Sequence, residues 1–213
     1  MKSNIQSTAC KPKSFPPWLR RRWGTGESFN TTKYTIQSRR LHTVCQSARC
    51  PNVGECWEKH TATFMILGNT CTRNCRYCSV SHGIGDYCVD DQEPFRVADA
   101  IQTLGIRHAV ITSVTRDDLP DGGASHFAAT IQAIRKIDPA VTIEVLTPDF
   151  SGCETSVQVI IAAEPDVFGH NIETVARLYP ILRGQTCSYQ RGLDVLRLAS
   201  QLSQKTVVKS AIM

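Results

Sequence analysis

The sequence predicts an α/β fold on a parallel sheet, and three observations carry that prediction. Short runs rich in β-branched and aromatic residues alternate with segments of helical period. Proline and glycine punctuate the boundaries between them. Of the 213 residues 41% are hydrophobic and 20% charged, which is enough for one substantial core and too apolar for a disordered chain.

The elements follow in order. Residues 61–67 (TATFMIL) read as a strand, and Gly68-Asn69 begins a turn. A helix is bracketed by Pro94 near its start and Gly105 after its end, with an imperfect apolar face of Phe95, Ala98, Ile101 and Leu104. Residues 108–114 (HAVITSV) form the second strand, and residues 127–137 a helix stopped by Pro139. Residues 141–146 (VTIEVL) form the third strand, followed by a helix over about 155–163 before Pro165. The fourth strand is 166–170, with helices around 175–182 and 193–202, and the fifth strand is 206–213. Strand–helix alternation of this kind gives parallel pairing with right-handed crossovers.

Charge divides the chain. The formal net charge is +5, yet residues 1–49 hold ten Lys or Arg against one acid, Glu27. The positive charge is therefore an N-terminal arm rather than a surface property. Its first 26 residues have the composition of an organellar transit peptide, but Pro12, Pro16 and Pro17 break any helix there, and no apolar h-region exists. A solvated, partly extended basic arm is expected. No apolar run approaches the ~20 residues needed to cross a bilayer, so a soluble protein in a reducing, cytoplasmic setting is expected, with no membrane partner.

The ten cysteines are the informative feature. Six lie between positions 45 and 78, as Cys45-x4-Cys50-x5-Cys56 and Cys71-x3-Cys75-x2-Cys78. Each set has three thiols, whereas a structural zinc site is closed by four ligands; a Cys3His site completed by His60 or His82 is the alternative. A cubane iron–sulfur cluster held by three thiolates leaves one iron open to a small molecule, which suits chemistry rather than electron storage. The second set sits in the loop after the first strand, the edge where active-site loops collect in parallel α/β folds. The remaining cysteines, Cys10, Cys88, Cys153 and Cys187, read as incidental thiols.

C-x3-C-x-aromatic-C after a first strand resembles the radical S-adenosylmethionine enzymes. The preceding triplet in ARCPNVGECW, followed by TFMILGNTCTRNCRYC, is similar to the lipoyl synthase family in particular. The likeness extends over KPKSFPPWLR, TSVTRDDLPDGGASHF, LTPDF and GHNIETVARLY, and so covers nearly the whole chain. The segment RGQTCSYQRGL departs from the family pattern: it lacks a proline after Arg183 and has Gly192 in place of serine.

The resemblance implies two 4Fe-4S clusters and S-adenosyl-L-methionine. Cys71, Cys75 and Cys78 would hold the cluster that chelates the cofactor and reduces it to methionine and a 5′-deoxyadenosyl radical. That radical would abstract hydrogen from C6 and C8 of an octanoyl chain on a lysine of a lipoyl-carrier protein. Cys45, Cys50 and Cys56 would hold an auxiliary cluster that supplies the sulfur. A reduced ferredoxin or flavodoxin-type donor is implied as the electron source.

The same resemblance implies an open partial (βα) barrel of the radical SAM type, with about five of six units fitting here. It divides the chain into a basic arm (1–44), an auxiliary-cluster segment (45–60) and the partial barrel (61–213). The last strand meets the end of the sequence at Met213, so a fragment or truncated product is expected. It would lack a family serine that completes the auxiliary cluster.

Tyr77 would pack over the adenine, with a half-buried packing aromatic as its alternative. Ser113 and Arg116, among Thr112, Asp117 and Asp118, are expected to contact the cofactor, or else to belong to a surface loop whose acids cap the next helix. Asn171 and Glu173 would hydrogen-bond its ribose or methionine moiety, and Asp149 is placed similarly. Two other function classes were open. A cysteine-rich nucleic-acid module is disfavoured because Trp18 and Trp23 are the only stacking candidates near the arm. A ferredoxin-like carrier would take four thiols per cluster and a smaller fold.

Overall fold

The computed structural model describes Pro16, residues 26–83 and residues 88–213. Its frame is a six-stranded sheet of β1 (His42–Thr43), β2 (Thr63–Ile66), β5 (His108–Ser113), β6 (Thr142–Leu146), β7 (Val167–Gly169) and β8 (Val207–Lys209), in that spatial order. A separate two-stranded ladder pairs β3 (Thr70–Cys71) with β4 (Ser81–His82). The five strands expected from sequence are β2, β5, β6, β7 and β8, and all four pairings among them are parallel.

Strand order follows chain order without reversal, so right-handed crossovers put every connecting helix on one face. That is the winding of a (βα) barrel, here open, rather than of a doubly wound sheet. The helices are α4 (Glu93–Leu104), α5 (Ala124–Ile137), α6 (Glu154–Ala162) and α8 (Tyr189–Leu202), which pack side by side in that order. Beneath them Phe64, Ile111, Val145 and Phe168 stand in register across four strands, each fully buried. The alternate positions Met65, Thr112, Leu146, Gly169 and Lys209 face the other side.

Helix boundaries follow local chemistry. Pro94 sits in the first turn of α4 and Gly105 ends it at φ 61°. The second helix begins earlier than expected, at Ala124, because Asp121 accepts from the backbone N–H groups of Gly123 and Ser125. The last begins at Tyr189, since Ser188 caps it by accepting from the Arg191 N–H. The helix expected near 175–182 is a 3-10 turn (Ala176–Leu178) running into the four-residue α7 (Tyr179–Leu182). The fifth strand is shorter than expected and is followed by a single parallel bridge between Glu173 and Ile212.

The extended arm is corrected where it is described. Residues 27–38 are helix α1 (Glu27–Ser38), with Thr32, Thr35 and Ile36 buried, and β1 pairs antiparallel with β2. Two short helices follow, α2 (Val44–Ser47) and α3 (Val53–Glu58). Trp57 of α3 is 2% exposed and meets Phe29 of α1 at 5.3 Å between ring centroids. The Thr32 hydroxyl donates to the Trp57 carbonyl at 3.0 Å and lies 3.5 Å from His60 Nδ1. Residues 1–15 and 17–25, including Cys10, Trp18, Arg20, Arg21, Arg22 and Trp23, lie outside the described residues. Among those described, no helix is long and apolar enough to cross a membrane.

Candidate active site

The Cys71 loop leaves the C-terminal end of β2 and is cinched at its neck. Thr70 pairs with Ser81 and Cys71 with His82, and the Gly83 N–H donates to the Cys71 carbonyl at 3.0 Å. Just before the neck, Leu67 adopts φ 66° and its N–H donates to the buried Glu93 carboxylate at 2.8 Å. His126 Nε2 contacts the same carboxylate oxygen at 2.8 Å. Gly123 packs against Leu67 so closely that an added Cβ would lie 2.2 Å from Leu67 Cδ1; the glycine of the DGG turn is therefore required on steric grounds as well as by its φ of 90°.

Inside the loop, Arg73 is the anchor. Its side chain is 2% exposed and forks onto Asp117 at 2.8 and 2.7 Å, while Nη2 also reaches Asp149 at 2.6 Å. Asp149, itself buried, accepts from Arg191 Nε of α8 at 2.8 Å. Burial opposes the Arg73 charge, but the bonds to Asp117 and Asp149 outweigh it and hold its pKa above the ordinary value. Burial likewise works against both carboxylates, and Arg73 overrides it, keeping them below the usual carboxylate range. Thr72 adds a tie to Asp117 at 3.0 Å and to the Thr115 carbonyl at 3.0 Å. The cysteine loop is thereby fastened to the loops after β5 and β6.

The thiols differ in setting. Cys71 Sγ accepts from the backbone N–H groups of Arg73 and Thr115, each at 3.4 Å. Cys75 is half-buried, and Cys78 is exposed. The Cys75 thiol is in hydrogen-bonding contact with Cys187, a bond that, with burial, pushes its pKa up. Cys187 is held below its usual range by that same bond, against burial, and by the nearby Arg73 and Arg183. Cys187, read from sequence as incidental, thus stands at the site. Nothing in its spacing marked it out beforehand.

The expected cofactor contacts fall at the same sheet edge, with differing commitments. Tyr77 is half-buried, hydrogen-bonds Cys75, and has its phenol pKa raised mainly by burial, with Glu173 and Cys75 adding and Arg183 opposing. Glu173 adopts φ 67°. The Asn171 carbonyl accepts from Arg183 Nη1 at 3.2 Å. Arg116 is buried with its guanidinium on Asp118 at 2.7 Å and toward the Leu67 carbonyl at 3.5 Å. Ser113 ends β5 with its hydroxyl buried and without a partner.

Two further buried atoms at this edge are unpartnered, His170 Nε2 and Arg183 Nε. The His170 Nδ1–H donates to the Thr147 carbonyl at 2.9 Å, and burial lowers its pKa, so its Nε2 is a bare acceptor. Leaving buried polar atoms unsatisfied costs about 1–3 kcal/mol each. Arg183, whose charge acts on Tyr77, Cys187 and Cys75, brings an unsatisfied donor to the thiols and fits a polar ligand bound with a metal cluster; His170 Nε2 lies instead against Gly192 of α8.

The other triplet is built differently. Cys45 lies in α2, Cys50 in the following turn and Cys56 in α3, and the Cys50 N–H donates to the Cys45 carbonyl at 3.1 Å. Burial raises the Cys56 pKa, with Cys45 and Cys50 adding to it. Among the described residues no three His, Cys, Asp or Glu side chains converge closely enough for a single metal ion. A cubane, whose thiolates sit on separate irons, spaces its ligands more widely than one tetrahedral ion does.

Comparisons with known proteins agree with this geometry. Residues 65–213 match the model of the radical SAM superfamily, and residues 1–50 match that of the N-terminal domain of lipoyl synthase of the radical SAM family. Proteins named lipoyl synthase are similar over 93% of the chain: 54% identical in Rubrobacter xylanophilus, 51% in Caldanaerobacter subterraneus subsp. tengcongensis and 48% in Thermus thermophilus. The chain spans 61%, 68% and 61% of those relatives' lengths. The crystal structure of methylornithine synthase (PylB) shares the fold over 70% of this chain and 43% of its own, at 14% identity and a TM-score of 0.54. A cysteine loop on the parallel edge of an open (βα) sheet, together with these matches, places the chain in the radical SAM superfamily and, within it, in the lipoyl synthase family.

Proposed function

We propose that this chain carries the catalytic portion of a lipoyl synthase that inserts sulfur at C6 and C8 of an octanoyl chain bound to a lysine of a lipoyl-carrier protein. Family membership implies 4Fe-4S clusters and S-adenosylmethionine as cofactors. The observation that carries the proposal is the cinched Cys71 loop, whose Cys75 and Tyr77 stand beside Arg183 with its Nε unsatisfied. When bound, the cofactors supply one-electron activation of unreactive C–H bonds and the sulfur to replace the hydrogens.

Cys71, Cys75 and Cys78 would hold the cluster that binds S-adenosylmethionine, and Cys45, Cys50 and Cys56 the auxiliary one. Arg73 holds the first loop rigid through buried carboxylates, and two backbone N–H groups aim at Cys71 Sγ, where such bonds tune a cluster's potential. Tyr77 is assigned to the cofactor because it stands beside Cys75, Ser113 because its hydroxyl is unsatisfied, and Glu173 because its charge acts on Tyr77. Asn171 and Arg116 are assigned there by their position at the strand edge. The division at residues 44 and 60, the ferredoxin or flavodoxin-type donor and a cytoplasmic location belong to the same proposal. So does attraction of an acidic carrier domain by Arg20, Arg21 and Arg22.

The test is anaerobic reconstitution with iron and sulfide. Two cubanes per chain are expected, and zinc without sulfide would sink the proposal. The reduced protein mixed with S-adenosylmethionine should release 5′-deoxyadenosine. Cys75→Ala should abolish that product and Cys50→Ala should spare it, and the opposite pattern would exchange the two assignments.

A further inference from the structure

Several residues other than glycine take positive φ, and most have a local reason. Arg40, Arg49, His60 and Glu164 each stand two residues past the end of a helix, where a left-handed residue is an ordinary stop. Leu67 differs. It follows strand β2, carries a bulky side chain, is 4% exposed, and still adopts φ 66°. Three elements hold it there. The β2–β5 pairing ends at Ile66, and the Leu67 N–H donates instead to Glu93 Oε2, from the first turn of α4, at 2.8 Å. Arg116, from the loop after β5, points Nη1 at the Leu67 carbonyl from 3.5 Å. Gly123, at the start of α5, lies against the Leu67 side chain where no Cβ would fit. The Glu93 carboxylate is itself held, because His126 Nε2 of α5 meets the same oxygen at 2.8 Å, each side chain being 7% exposed. Backbone strain of this kind persists only where its surroundings impose it, and Cys71 is four residues on.

We propose that Glu93 and His126 are positioning residues for the cluster site: together they fix Leu67 in the left-handed conformation, and that bend turns the chain from β2 into the neck that carries Cys71. The inference rests on the assignment of a cluster to the Cys71 triplet. A carboxylate suits the task because one of its oxygens can take two donors, and burial makes those donors obligatory. Arg73 fixes the interior of the cysteine loop, whereas this pair fixes its entry. Without the carboxylate, Leu67 relaxes toward negative φ, which swings Thr70 and Cys71 off the ladder they make with Ser81 and His82. The requirement is conformational. A residue that takes positive φ freely therefore has no need of the pair, and glycine is that residue.

The experiment compares the full chain with Glu93→Ala, Glu93→Gln, Leu67→Gly and the double variant Leu67→Gly/Glu93→Ala. Each is reconstituted anaerobically, counted for iron and sulfide, and checked for folding by its urea midpoint. After reduction, the first cluster is recognised by the change that S-adenosylmethionine makes to its EPR spectrum. That responsive signal should fall several-fold in Glu93→Ala. It should stay close to the parent's in Glu93→Gln, whose amide oxygen still accepts from the Leu67 N–H. In the double variant it should recover several-fold over Glu93→Ala, even though the lost leucine lowers the urea midpoint further. A Glu93 that merely supports the core gives additive losses, so a double variant no better than Glu93→Ala overturns the proposal. If Glu93→Ala does not fold, the same rescue by Leu67→Gly is read in His126→Ala, and its absence is equally decisive. A parent whose reduced spectrum ignores S-adenosylmethionine overturns the assignment beneath the proposal, and is recognised without any variant.

Discussion

The two cysteine triplets lie within one stretch of chain, yet they are held by opposite means. The Cys71 loop is pinned by a buried guanidinium shared between two carboxylates, with a two-strand neck and a cross-tie to α7. The Cys45 segment is two short helices resting on α1 through Trp57, Phe29 and one hydrogen bond from Thr32 to the Trp57 carbonyl, and an ion pair within it, Lys59 with Glu55, is in solvent. Directional charge pairs fix a loop's geometry, whereas apolar contact fixes only its place. On the proposed assignment, a cluster that must survive each turnover would suit the first support, and one that surrenders its sulfur the second.

The contrast can be broken by substitution. Arg73→Ala leaves the buried Asp149 with Arg191 alone and Asp117 with its hydroxyl partners, so it should lower stability by about 3 kcal/mol, read as a fall in urea midpoint. It should also abolish iron loading at the Cys71 triplet while sparing the other. Trp57→Ala should cost about 3 kcal/mol through the cavity it leaves, and its loading defect should be confined to the Cys45 set. If both substitutions empty both sets, the two supports are one cooperative unit and the contrast fails.

Acid sharpens it further. Asp117 and Asp149 are held below their ordinary 3.8, so the stability they contribute is present above that pH and is lost as pH falls through their lower folded values. Unfolding measured from about pH 5 downward should therefore steepen in the parent and flatten in Asp149→Asn. The smallest effect belongs to Lys59→Ala, whose exposed pair should leave thermal stability unchanged. A marked loss there would show that the Cys45 segment depends on charge after all.

Much of this was readable in the sequence, for physical reasons. The five parallel strands announced themselves as apolar runs because both faces of such a sheet carry packing demands. The two-residue strands β1, β3 and β4 carry no periodicity, being set by tertiary partners alone. The acids of the RDDLPDGG turn read as a cofactor loop or a capping loop; the fold assigns Asp121 to the cap of α5 and Asp117 to Arg73. Cys187 was invisible because proximity to Cys75 is made by the fold, not by spacing. Gly192 likewise looked like a lapse at the start of a helix. It is buried inside α8, where an added Cβ would stand 3.0 Å from Ile172 and 3.1 Å from His170.

The anchoring of Arg73 also sets a clock. Its carboxylate Asp117 lies 44 residues downstream, Asp149 belongs to the next loop, and Arg191 opens the last helix. During synthesis the cysteines emerge long before any of these partners, and contacts so distant in sequence close late in folding. The Cys71 loop is therefore shaped after most of the sheet has assembled, so on the proposed assignment a cluster would enter this site late in the maturation of the chain.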